Sequence, residues 1–234
     1  PGNERTYVVL SGLNENMPAA VQLFEKLLAD AQVNKEAYTN MTSDILKARS
    51  DAKLNQGQNF SRLMSFAMYG PKSPATNLLT EAELTNMNPQ ELVDRIHNQN
   101  SYKHRILYYG PSSSKDLLAT INQYHQVPAA LKDIPAGNEY SYLETPVTKV
   151  LVAPYDAKQI YMAQISNLDK KYDPAIEPIR ALYDEYFGGG MNSIVFQEMR
   201  ETRGLAYSAW ASIMPPSYLK YPYVLRTQIA TQND

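Results

Sequence analysis

Apolar residues recur along the chain with two periods. Helical spacing is set by Met17, Val21, Phe24, Leu28 and Ala31, with Pro18 tolerated in the first turn. The same spacing predicts a second helix from Tyr38, Met41, Ile45, Ala48 and Ala52. A third carries Phe60, Leu63, Met64, Ala67 and Met68 and stops at Gly70-Pro71. Two capping boxes follow, Thr80 with Glu83 and Asn88 with Glu91, the second with Pro89 at the first helical position and Leu92, Val93 and Ile96 behind it. Ser114 caps a helix bearing Leu117, Leu118 and Ile121. Strand-type runs are expected at 6–10, 105–109, 147–153, 160–165, 205–214 and 221–230.

In the last third, Asp173-Pro174 opens a helix through Ile176, Ile179, Leu182, Tyr183 and Tyr186, ending at Gly188-Gly189-Gly190. Asn192 or Ser193 can cap the next helix, 194–201, and Gly204 stops it. Between 126 and 146, Pro128, Pro135, Gly137 and Pro146 sit among polar residues, the composition of a linker. The expected organisation is therefore a lobe of 1–125, a linker of 126–146 and a second lobe of 147–234. Helices and hairpin-compatible strands mix in both, so the fold class expected is α+β: largely antiparallel sheets with helices packed on one face.

Composition narrows the chemistry. The 234 residues hold 22 Lys and Arg against 24 Asp and Glu, for a net charge of −2, which argues against a non-specific nucleic-acid partner. No run is long and apolar enough for a membrane span. There is no Cys, which excludes disulfides, thiolate metal sites and cysteine nucleophiles. The three His residues leave little for a metal centre. His97 and His104 lie seven apart with Glu91 and Asp94 nearby and read as surface polar residues; His125 has no partner in view. Both ends read as cuts in a longer protein, with the last lobe stopped partway.

The most specific stretch runs from Tyr186 through Gly188-Gly189-Gly190 and Ser193-x-x-Phe196-x-x-x-Arg200-Glu201 to Gly204-Leu205-Ala206-Tyr207-Ser208. It resembles the insulinase/pitrilysin family of zinc metallopeptidases, which includes the mitochondrial processing peptidases. That resemblance implies repeated α+β units enclosing a chamber. The family's metal motif is His-x-x-Glu-His with a distant Glu, and no His here has that Glu-His pair. The resemblance thus implies a piece of the C-terminal, non-metal half, with no cofactor of its own and zinc expected elsewhere in the full-length protein. The N-terminal zinc-binding half of the same chain and a peptide substrate are the partners it implies.

In the family an Arg and a Tyr of this half reach the substrate at the zinc, and Arg200 and Tyr207 occupy those positions. Alone they would be ordinary: an Arg late in a helix complements the helix dipole, and a Tyr is a good sheet former. The Gly188, Gly189 and Gly190 loop lies near the chamber in the family; read without it, the run is a helix terminus and a close-approach loop. The competing expectation is a non-catalytic family member that binds polypeptide or serves as a scaffold subunit. Resemblance to bacterial members points to the cell envelope or periplasm.

Overall fold

The structure is a computed structural model that describes residues 6–216 and 218–232. The chain divides into two compact units that are not consecutive in sequence. One comprises 1–47 with 79–138, and the other 48–78 with 139–234. The change of unit at Asn138/Glu139 falls inside the Pro-containing stretch 126–146.

The first unit is helical. It contains α1 (Met17–Ala29), the beginning of α2 (Lys35–Lys53), α4 (Glu81–Asn86), α5 (Pro89–His97) and α6 (Ser114–Tyr124). α1 packs against α5 and α6, and Val21, Leu84 and Val93 are buried. The Thr80–Glu83 capping box is complete in both directions. Asn88 does cap α5, but its side chain accepts from the Gln90 N–H at 3.1 Å, and among the described residues no reciprocal Glu91 bond accompanies it. The cap of α6 is Ser113, one residue before the expected Ser114. The Tyr38 hydroxyl donates to the Leu84 carbonyl and ties α2 to α4.

The second unit carries α3 (Gln56–Tyr69) and a sheet of three strands: β1 (Gln159–Lys171), β2 (Ser208–Met214) and β3 (Pro222–Gln232). The order is β1-β3-β2 and both pairings are antiparallel, from Gln159↔Gln232 and Ser208↔Ala230 towards Asn167↔Val224 and Met214↔Val224. Tyr223 and Val224 of the central strand are buried, as are Ala209 and Ala211 of β2. α3 lies against β1 through an edge-to-face contact of Phe60 and Tyr161, centroids 5.5 Å apart. Helices with an antiparallel sheet make this an α+β fold.

Three expected strands are absent among the described residues. Segments 6–10, 105–109 and 147–153 are irregular, and their apolar side chains are exposed: Val9 at 80%, Leu107 at 88%, Val150 at 83%. A helix makes its hydrogen bonds within itself, whereas a strand needs a neighbour. β-Type patterning with no neighbour in place does not become a strand.

The β2 edge is closed by α7 (Glu177–Phe187), which follows a 3₁₀ turn at Pro174–Ile176. The Asp184 carboxylate accepts from the Ile213 N–H (2.8 Å), the Ser212 hydroxyl (3.0 Å) and the Arg180 guanidinium (2.6 Å). Arg180 in turn donates to the Ile213 carbonyl at 3.0 Å and to Glu177 at 3.0 Å. Outward backbone groups of an edge strand are thereby satisfied by side chains, which removes a template for unwanted pairing.

The clamp ends at Tyr223, whose buried hydroxyl donates to Glu177 at 2.6 Å. That bond, with Arg180 beside it, holds the Glu177 carboxyl below the usual carboxylate range. Burial, and then Glu177 itself, pushes the Tyr223 hydroxyl up. A depressed carboxyl contributes stability above its unfolded value, about pH 4.3, and loses it as pH falls through the lower folded value. The urea midpoint of Tyr223→Phe should therefore lie below that of the parent at neutral pH, with the gap narrowing in acid. A gap that widens on acidification would contradict the assignment.

Candidate functional site

The candidate site is built from one buried cap and one unusual helix. Ser193 is 0% exposed; its hydroxyl accepts from the Phe196 N–H at 3.3 Å and its N–H donates to Gly190 O at 3.0 Å. Of the two cap candidates, Ser193 is the one used. It starts α8 (Ile194–Phe196), which continues without a break as a π-helix over Gln197–Thr202. The expected helix is therefore present, with a wider turn at its end. Such π turns are rare and concentrate at functional sites.

The wide turn closes through Gly204 N–H to Arg200 O (3.1 Å) and Leu205 N–H to Met199 O (2.9 Å). Gly204 sits at φ 60°, the left-handed region that glycine enters without strain. The reversal sends the chain into β2, and Tyr207 N–H joins the sheet by donating to Ala230 O at 3.0 Å. Arg200 and Tyr207 are thus returned to each other. The guanidinium carbon lies 5.3 Å from the Tyr207 ring centroid and 4.9 Å from that of Phe196, within cation–π range. The Glu201 carboxylate is 3.5 Å from Arg200 Nε. Tyr207 is 72% exposed, and among the described residues nothing bonds its hydroxyl. The pair offers solvent a cationic donor fork and a phenol donor side by side.

The glycine run has a different task. A Cβ on Gly188 would stand 2.3 Å from Ala211 O and 2.4 Å from Ala211 N, and one on Gly189 would stand 2.8 Å from Asp184 O. Gly190 is less tight, 3.2 Å from the Glu185 carboxylate. The first two let the end of α7 lie against β2 and turn back on itself. The close-approach reading of this loop matches that geometry.

Two contacts are not legible in the sequence. Phe196 was part of the pattern but carried no role; it stacks on Arg200. His125 is not without partners, because Glu25, 100 residues away in sequence, bonds its Nδ1 at 2.7 Å and His104 meets its Nε2 at 2.8 Å. Contacts at such separations leave no local signal. His97 meets the Ala31 carbonyl at 2.9 Å. Among the described residues no group of three or more His, Asp or Glu is placed to hold a metal ion, so these residues do not fit a zinc centre. No described helix is long and apolar enough to cross a membrane.

No protein-family model matches the sequence, and neither does any curated protein. Solved structures do match in fold. A peptidase M16 inactive domain from Pseudomonas fluorescens aligns at TM-score 0.61 and 16% identity, over 94% of this chain and 52% of that one. A protease from Helicobacter pylori aligns at TM-score 0.65 and 13% identity, over 94% and 53%. The periplasmic protease PqqL from Escherichia coli aligns at 0.64 and 13%, over 93% and 24%. The chain thus spans about half the length of the first two and a quarter of the third. The expected α+β fold, helices with an antiparallel sheet, is the fold observed and the fold these structures share.

Proposed function

We propose that this chain is the substrate-side, non-metal part of a zinc-dependent peptidase that degrades or processes peptides within an enclosed chamber. The observation that carries the reading is the exposed Arg200–Tyr207 pair, held together by the π turn and Gly204. Peptide hydrolysis passes through a tetrahedral oxyanion, and a phenol hydroxyl is a suitable donor to it. A guanidinium presents a planar set of donors to substrate carbonyls. Zinc, held by another domain of the full-length protein, would supply the Lewis acid. Delivering Arg200 and Tyr207 from the opposite half makes chemistry conditional on closure. The likeness to PqqL, described as periplasmic, supports a periplasmic or cell-envelope location.

The test compares two polypeptides. The full-length protein should cleave unstructured peptides and lose that activity on chelation, regaining it with zinc. The 234 residues alone should neither cleave nor take up stoichiometric zinc. If the full-length protein binds peptides but never cleaves them, the scaffold or polypeptide-binding reading replaces this one.

A further inference from the structure

We infer that His104 and His125 share a single proton between their Nε2 atoms, forming a pH-gated clasp that ties the C-terminal end of α6 to α1 and to the segment after the Gln99–Ser101 turn. The two Nε2 atoms are 2.8 Å apart. The ring centroids are 5.0 Å apart with planes at 88°, so the nitrogens lie close to the line joining the rings and face each other head-on.

The other two nitrogens decide the proton count. His125 Nδ1 meets the Glu25 carboxylate at 2.7 Å, and His104 Nδ1 meets the Tyr102 carbonyl at 2.7 Å. An ionised carboxylate and a carbonyl only accept, so both Nδ1 atoms carry hydrogen. A neutral imidazole has one N–H, so with both rings neutral two bare lone pairs would face each other. With both rings charged, two N–H groups would collide. One proton between them satisfies every nitrogen. The pair then bears one positive charge against Glu25, whose second oxygen accepts from Asn100 Nδ2 at 2.8 Å.

The surroundings favour that state. The side chains of His125 and Glu25 are only 13% and 15% exposed. His125 is also the C-cap of α6, with its N–H on Ile121 O at 2.8 Å, where a cation is favoured by the helix dipole. Other charged groups lie on the same elements. On α1 Glu25 bonds His125 itself and Lys26 follows it in sequence, and Arg105 follows His104. Where Tyr102 bridges to Lys132, Lys132 lies over the Tyr102 ring and Lys103 pairs with Asp133. A metal ion does not suit the same gap: two metal–nitrogen bonds of about 2.0 Å each cannot fit in line between these atoms.

Adding or removing one proton opens the clasp, and histidine gains or loses its charge between about pH 5 and 8. The test is long-range ¹H–¹⁵N NMR of the histidine rings from pH 5 to 9, with exchange of the His125 amide followed in parallel. The two rings should titrate as one coupled pair in two steps. Protection of the His125 amide, corrected for intrinsic exchange, should peak between the steps. His104→Ala should leave His125 with one step and remove the peak. If that variant does not fold, Glu25→Gln serves, and should move the loss of the shared proton to lower pH. Independent one-step titrations, unaffected by the partner's replacement, overturn the inference. So does stoichiometric zinc uptake at the two Nε2 atoms, which makes the pair a metal site instead.

Discussion

Tyr207→Phe in the full-length protein is expected to lower kcat on a peptide substrate about 100-fold, the range seen when one oxyanion donor is removed, while KM stays nearly constant. The substitution deletes only the hydroxyl. The ring that lies 5.3 Å from the Arg200 guanidinium remains, so Arg200 keeps its neighbour. The backbone bond to Ala230 also remains, and the exposed ring contributes little to the core. Thermal stability should therefore match the parent, which separates a lost donor from a damaged fold. Substrate in its ground state has no oxyanion to bind, so the loss should appear in kcat. Equal kcat in variant and parent, with stability unchanged, would remove Tyr207 from the chemistry.

How the site reads from sequence depends on the range of each interaction. The cap at Ser193 and the Thr80–Glu83 box are contacts three residues long, and both are visible as spacing. The Arg200–Tyr207 pair is seven residues long and was reached only through the motif around it. Periodicity predicts a helix there but not that its end widens to a π-helix, since the six residues Gln197–Thr202 are too few to reveal a change of period. The β2 edge clamp is intermediate. Arg180 and Asp184 are spaced as an i,i+4 helix pair and would pass for surface decoration. Their bonds to Ser212 and Ile213, about 30 residues on, give them their structural role.

The strands divide the same way. Segments 160–165, 205–214 and 221–230 were expected, and β1, β2 and β3 occupy them because each has a paired neighbour. The equally β-like 6–10, 105–109 and 147–153 have none among the described residues. Propensity alone did not separate the two groups. The two-unit grouping is likewise hidden, because 48–78 joins residues that begin more than sixty positions later.

Gly188→Ala should cost about 3 kcal/mol, towards the upper end for overpacking, read as a fall in the urea midpoint. The backbone there is at φ −145°, which any residue adopts, so left-handed strain plays no part. The cost is steric: the new methyl would stand 2.3 Å from Ala211 O, 2.4 Å from its N and 2.7 Å from its Cα. None of these atoms can rotate away. Ala211 is fixed opposite Thr227 in the ladder, and its strand is held on the other side by Asp184 and Arg180. Relief requires α7 and β2 to separate, lengthening the bonds to Ser212 and Ile213 and moving the strand that begins beside Tyr207. Gly137→Ala is the control, since nothing lies within 4 Å of its added methyl, and it should stay within about 0.5 kcal/mol of the parent. If Gly188→Ala proves as stable as that control, the close packing of α7 on the β2 edge is wrong. If it is destabilised as expected, the full-length variant should also lose peptidase activity under conditions where it remains folded, because the same displacement draws Tyr207 away from Arg200.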